Sequence, residues 1–360
     1  MKKFFKILSL IVCTVLLAVI VYVAYVFISF HRIGDMPLTP EGQPASESVE
    51  VGKEYSFLSY NIGFGAYESD YGFFMDGGKE SRAWSKERLE KNLNNISSLV
   101  EKQNSDFAFI QEVDIGSTRS YGVDERPYFS SVLKNYSRVF AQNYDSPYLF
   151  YPILEPHGAS DSGILTFSKS RITTSERVEL PIESGFTKLL DLDRCYSKSR
   201  VRTGDGHELV LYNFHLSAYT SDGKIATEQL EIILKDMESE FKNGNYCIAG
   251  GDFNKDILGD SSAWFGKADK DFTWAQPIPE GLIEKYPAVL VAPLDKTNPV
   301  PSCRNADSAY HDGQLVLTID GFLVSPNVTV TSSEVIDTAF AYSDHNPVRM
   351  TFKLGAATEE

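Results

Sequence analysis

The chain has 360 residues, with 34 basic against 49 acidic side chains and a formal net charge of −15 at pH 7. Lys2, Lys3 and Lys6 sit at the extreme N-terminus, so the rest carries 31 basic against 49 acidic residues, a balance of −18. That excludes a broad cationic face, on which most non-specific affinity for a polyanion such as long DNA depends.

Residues 7–30 are almost wholly apolar, interrupted only by Ser9, Thr14 and Ser29. As a helix this run is about 36 Å long, enough to cross a hydrocarbon core of about 30 Å. A cleaved signal peptide is the competing reading, but its apolar region is usually about 7–15 residues long and precedes a small-x-small site. This run is longer, and His31-Arg32-Ile33-Gly34 offers no such site. Residues 1–30 therefore read as an uncleaved transmembrane signal anchor. The N-terminal lysines favour a cytoplasmic N-terminus at a cell membrane crossed once, with the bulk of the chain extracellular. Residues 31–52 hold Pro37, Pro40 and Pro44 with little apolar content, and read as a linker outside the core. Residues 53–360 remain as one large domain.

Within that domain, residues 85–103 place Leu89, Leu93, Ile96 and Val100 on one helical face. A second helix, opened by Ser221-Asp222 and ending at Asn243-Gly244, does the same with Ala226, Leu230, Ile233, Met237 and Phe241. Gly204-Asp205-Gly206 between two strand-like runs signals a hairpin. Two loops are rich in aromatic residues. Residues 63–78 hold Phe64, Tyr67, Tyr71, Phe73, Phe74 and Met75; residues 146–157 hold Tyr148, Phe150 and Tyr151. Each either packs internally or forms an apolar rim that dips toward lipid. Of the cysteines, Cys195 and Cys303 either pair, if the domain is extracellular, or remain free thiols.

Five apolar runs each end in, or lead to, a group able to do chemistry. They reach Asn61, Gln111-Glu112, Asn213-Phe214-His215, Gly250-Gly251-Asp252-Phe253-Asn254 and, after residues 315–319, Asp320. Such runs predict strands buried on both faces, and in layered folds ligands gather beyond strand ends. Asp344-His345 stands just before a further strand at residues 348–352. A carboxylate beside an imidazole at a strand edge suits metal-assisted attack of water on phosphorus.

With these segments in this order, the chain resembles the endonuclease/exonuclease/phosphatase superfamily. Gly251-Asp252-Phe253-Asn254 and Ser343-Asp344-His345 are its most specific pieces, and the matching segments run from about residue 55 to 353. The resemblance implies an α+β, four-layer sandwich of the deoxyribonuclease I type behind the transmembrane helix, with the catalytic domain at 53–360. It also implies a Mg²⁺ cofactor, with Mn²⁺ as a substitute, held by Glu112 with Asn61 and Asp344 nearby. Asp252 would align or activate the attacking water, and Asn254 would hold a phosphoryl oxygen. His345, oriented by Asp320, and His215 would share acid–base and charge-stabilising roles, with their assignment open. Arg304 is the one basic residue singled out for substrate phosphate. Lys79, Arg82, Arg119, Arg126, Lys188 and Arg200 read as scattered surface charge.

The expected activity is hydrolysis of a phosphate ester outside the membrane, with a lipid or small-molecule ester favoured over nucleic acid by the acidic surface. The alternatives are an extracellular nuclease and an inactive anchored binding module. The expected partners are that substrate and the membrane, through residues 7–30; no protein partner is expected.

Overall fold

The structure is a computed structural model and describes residues 1–184, 193–218, 223–268 and 274–355. Helix α1 (Lys2–Ser29) comprises 28 residues, none buried, and is long and apolar enough to span a membrane, which suggests an anchor. Beyond it the chain forms β1 (Met36–Leu38), β2 (Glu41–Gly42), β3 (Glu54–Asn61), α2 (Lys86–Gln103) and β4 (Phe107–Asp114). Then come α3 (Arg126–Val132), β5 (Ser137–Asp145), β6 (Asp161–Ser168), β7 (Ile172–Glu179), β8 (Cys195–Arg202) and β9 (Glu208–His215). The last stretch holds α4 (Lys224–Lys242), β10 (Tyr246–Asp252), α5 (Ser262–Phe265), β11 (Val289–Val291), β12 (Cys303–Arg304), β13 (Val316–Leu317), β14 (Asp320–Val324), β15 (Val328–Val335) and β16 (Val348–Leu354).

Two seven-stranded mixed sheets result, ordered β1-β7-β8-β9-β10-β14-β11 and β15-β16-β3-β4-β6-β5-β2. Strand alternation explains how they stack. Phe57, Phe107, Phe109, Leu209, Leu211, Ile248, Phe322 and Met350 meet between the sheets. Their neighbours Leu58, Tyr60, Ala108 and Ile110 face the other way, onto Leu89, Leu93, Ile96 and Val100 of α2. Val210, Tyr212, Cys247 and Ala249 likewise face Ala226, Leu230, Ile233 and Met237 of α4. Helix, sheet, sheet and helix make four layers, an α+β sandwich of the deoxyribonuclease I-like type.

Ser85 caps α2 by accepting from Arg88 N (3.1 Å). The β8–β9 hairpin turns where the glycines predict. Ser221-Asp222, the expected start of α4, and Lys188 lie outside the described residues.

The segment 31–52 departs from the linker expectation. β1 adds to β7 at the edge of one sheet and β2 to β5 at the edge of the other, while Val49 is fully buried between them. Pro37 is tolerated in β1 because an edge strand leaves donors unpaired anyway, and Pro40 and Pro44 lie outside the strands. The run 315–319 is also not one strand. Val316–Leu317 pairs with β12 in a small ribbon, and Asp320 opens β14 in the large sheet. All four cysteines are free thiols, so Cys195 and Cys303 do not pair.

Candidate active site

Strand direction decides where the chemistry collects. β3 and β4 run parallel, as do β9 and β10, so Asn61, Glu112, His215 and Asp252 arrive together at one rim. β14 runs against β10, which puts its first residue, Asp320, in register with Asp252; His215 is in register on the other side. β16 runs against β3, and Asp344-His345 immediately precede it at that same rim. Asp252 follows Ile248 by two strand periods and so points into the seam between the sheets.

Glycine makes the close approach possible. At Gly251 (φ +143) a Cβ would lie 1.9 Å from the Phe214 carbonyl oxygen, so no other residue fits beside β9. Glu112 sits where β4 bulges against β6 and adopts φ 56. The bulge re-aims its carboxylate from sheet to rim, a strained conformation of the kind that persists at functional sites.

The side chains form one connected network. Asn61 Nδ2 donates to Glu112 Oε1 (3.1 Å) and to Asp252 Oδ2 (3.0 Å). His215 Nε2 lies 3.4 Å from that Asp252 oxygen, and His345 Nε2 lies 3.7 Å from it. His345 Nδ1 meets Asp320 Oδ2 at 2.8 Å, and the Ser302 hydroxyl donates to the same oxygen at 2.7 Å. The Ser343 hydroxyl donates to the Asn61 carbonyl (2.9 Å), which ties Asp344-His345 to the end of β3. Asn254 N donates to Asp252 Oδ1 (2.8 Å), and its side-chain amide donates to the Leu216 carbonyl (2.7 Å). The group opens into a cavity of about 290 Å³, lined among others by Glu112, His215, Asp252, Asn254, Asp344 and His345.

The family model for the endonuclease/exonuclease/phosphatase family matches residues 58–345, every element of this network included. The chain belongs to that family. No curated protein sequence matches it. Among solved structures it is similar to an endonuclease/exonuclease/phosphatase from Beutenbergia cavernae DSM 12333, at 15% identity and TM-score 0.54, over 86% of this chain and 73% of that one. It is also similar to ANGEL2, a 2′,3′-cyclic phosphatase in complex with adenosine-2′,3′-vanadate, at 16% identity and TM-score 0.55, over 89% and 99%. A family protein from Leptotrichia buccalis C-1013-b aligns at 12% identity and TM-score 0.53, over 83% and 100%. These likenesses concern the fold. Family membership supports phosphoester hydrolysis in the general sense that covers nucleases and phosphatases alike.

Burial dominates the electrostatics of this family member's site. Burial pushes the Asp344 carboxyl up to about 6, against the opposing charge of His345, and Glu112 adds to the push. Asp252 goes up to about 7 for the same reason, with Asp320 adding to burial while His345 works against both. Buried Asp252, Asp320 and His345 could together hold a metal ion. Asp320 and His345 of that trio are paired with each other, as Asn61 and Glu112 are, but Glu112, Asn61 and Asp344 can each offer oxygen, the donor a hard divalent cation prefers. The donor set fits such an ion on either count.

The two imidazoles diverge. Burial, then Arg194 and His345, hold His215 well below the usual imidazole range. Burial also opposes a charge on His345, but Asp320, Cys303 and Asp344 outweigh it and hold this ring well above that range.

Arg304 lies on β12 and lines the cavity. Its Nη1 donates to the Ser308 carbonyl (3.0 Å) and its Nη2 to those of Glu68 and Tyr71 (3.1 Å each), so it ties the cavity wall together. Arg119, read from the sequence as surface charge, is buried against the cavity in a two-pronged pair with Asp114 (3.0 and 2.8 Å). Ser302, whose hydroxyl reaches Asp320, carried no pattern in the sequence, and Cys303, considered there only for a disulfide, places its Sγ 3.6 Å from His345 Nε2. They become visible only when β12 is laid beside the rim.

Proposed function

We propose that the chain is a membrane-anchored, Mg²⁺-dependent phosphoric ester hydrolase, with Mn²⁺ able to substitute, whose catalytic domain faces outward. The observation that carries this reading is the convergence of Asn61, His215 and His345 on one oxygen of Asp252, backed by the Asp320–His345 pair. Glu112, with Asn61 and Asp344, would hold the cation, which would supply charge neutralisation to a phosphate group. Asp252 aligns water in line with the scissile bond and takes its proton. Asp320 holds and orients the charged His345 ring, so that Nε2–H is presented to a phosphoryl oxygen. His215, uncharged, faces the leaving oxygen; Asn254 orients the phosphate. Phosphoryl transfer asks for this kind of positioning and charge stabilisation, not for a covalent nucleophile.

The lysines before α1 favour a cytoplasmic N-terminus. The acidic balance of the domain disfavours a long polyanion, which places an extracellular nuclease second. Hydrolysis of bis(p-nitrophenyl) phosphate and p-nitrophenyl phosphate with Mg²⁺, beside plasmid nicking, tests the reading. Ester hydrolysis lost in Glu112→Ala and His345→Ala is expected. Equal rates in wild type and both variants would sink it.

A further inference from the structure

The two aromatic loops fare differently. Phe64, Tyr67, Tyr71 and Phe73 pack inside. In the 146–158 loop, by contrast, Phe150 is 57% exposed, Tyr151 67%, Ile153 84% and Leu154 100%. Hydrogen bonds between Leu149 and Gly158 (3.1 and 3.0 Å) close the base of this loop, leaving its tip to project. Four large apolar side chains on one projecting tip are a patch of the sort that marks an interaction surface.

What lies beside the tip says what covers it. The Tyr22 hydroxyl of α1 donates to the Tyr148 carbonyl (3.1 Å), Tyr148 N donates to the Tyr25 hydroxyl (3.1 Å), and the Tyr22 and Phe150 rings meet at 5.2 Å. About 20 helical residues cross a hydrocarbon core. Counted from Lys6, that distance ends in the turn holding Tyr22 and Tyr25. Tyrosines at that level belong to the interfacial belt. The loop they grip is therefore level with the lipid headgroups.

The domain has no slack to swing away. Arg32, three residues beyond α1, pairs with Asp193 (3.1 Å) and Glu179 (2.9 Å). Fully buried Arg177 donates to the carbonyls of Ile33 and Gly34. The tip is also next to the catalytic cavity: Tyr151 meets Phe74 at 5.7 Å, and Phe73 meets His157 at 5.8 Å, with Phe73 and His157 both in the cavity wall.

We propose that residues 150–154 insert into the interfacial layer of the same bilayer that α1 spans, so that the cavity opens against the lipid surface and takes a phosphate ester borne on a lipid headgroup. The substrate half of this proposal rests on the phosphoesterase reading above; the docking half does not. The acidic domain repels anionic headgroups, so zwitterionic lipid is the preferred surface.

The full chain in phosphatidylcholine nanodiscs tests both halves. The extra emission from Leu154→Trp should be blue-shifted, quenched by lipid brominated near the headgroup end of the acyl chain, and shielded from iodide. Emission quenched by iodide and untouched by bromolipid overturns the docking. For the substrate, the double variant Ile153→Glu/Leu154→Glu should cleave bilayer phosphatidylcholine about tenfold more slowly, the loss of one or two interfacial apolar side chains. Its rate on soluble bis(p-nitrophenyl) phosphate should be unchanged, since neither residue lines the cavity. Equal cleavage of the bilayer lipid by parent and variant overturns the part given to the tip in presenting that lipid, and cleavage of the soluble ester alone overturns the lipid substrate. A parent inactive on every ester overturns the phosphoesterase reading and leaves the quenching result to decide the docking.

Discussion

Gln111 of β4 and Asn213 of β9 meet across the seam between the two sheets, Nε2 of the glutamine donating to Oδ1 of the asparagine at 2.9 Å. Both are fully buried. Asn213 Nδ2 in turn donates to the Leu165 carbonyl (2.8 Å), and Gln111 Nε2 reaches the Ser59 hydroxyl (3.2 Å). The pair is a polar rivet just beneath the active rim, and it holds β4 and β9 in the relative position that lets Glu112 and His215 share a site. Asn213→Ala should leave Gln111 short of a partner and cost about 1–3 kcal/mol. Urea unfolding of the variant measures it. A stability equal to wild type would mean the rivet carries no load.

In the proposed mechanism Asp320 would act on catalysis through His345, which it meets at 2.8 Å. Loss of the imidazole in His345→Ala should lower kcat by about 10²–10⁴. Asp320→Asn should lose much of the same factor, since a neutral amide cannot hold the imidazolium as the carboxylate does. The double variant should fall little below His345→Ala, because groups that act as a unit are not additive. Kinetics on bis(p-nitrophenyl) phosphate provide the cycle; full additivity would separate the two residues.

Chelation is the direct probe of the oxygen cluster. EDTA should abolish hydrolysis, and added Mg²⁺ or Mn²⁺ should restore it. Glu112→Gln keeps the shape but removes a charge, so it should raise the Mg²⁺ concentration needed for half-maximal rate. Calorimetric titration of Mg²⁺ into the protein provides a second readout, and unchanged binding in the variant would move the ion elsewhere.

His157 makes stability pH-dependent. Its Nδ1–H donates to the Ser81 carbonyl (2.8 Å) and its Nε2 accepts from the Ser160 hydroxyl (3.2 Å), which a doubly protonated ring could not do. Burial, reinforced by Arg119, pushes the imidazole down to about 4. An unfolded histidine titrates near 6.5, so between those values the unfolded state binds more protons, and stability falls as the pH falls. The contribution is fully present above about pH 6.5 and amounts to about 2–4 kcal/mol, lost by pH 4. Thermal melts from pH 7.5 to 4.5 should show a shallower decline in His157→Asn than in wild type.

Removing residues 31–52 should destabilise the domain. A fragment starting at residue 53 loses two edge strands and the buried Val49 side chain, which alone is worth about 1.5–3 kcal/mol. A fragment starting at residue 31 should melt at a clearly higher temperature. Coincident melts would restore the view of this segment as a passive tether.

Much of this molecule is legible along the chain because it depends on local pattern. A run of apolar residues from 7 to 30 makes α1 whatever follows. Period-3.6 spacing makes α2 and α4, and buried runs make β3, β4, β9 and β10. The polar residue closing each run is visible too, because a strand end is where a chain can present Asn61, His215 or Asp252. What the local pattern lacks is direction and register. Only antiparallel pairing of β14 with β10 sets Asp320 opposite Asp252, and only the bulge at Glu112 turns its carboxylate toward Asn61. Arg119, Ser302 and Val49 look like surface or linker residues in one dimension, because burial comes from segments distant in the chain. The same holds for the 146–158 loop, whose aromatic content is plain but whose place beside α1 follows from the pinning of Ile33 and Gly34 by Arg177. Long-range packing, which no window of sequence contains, decided those positions.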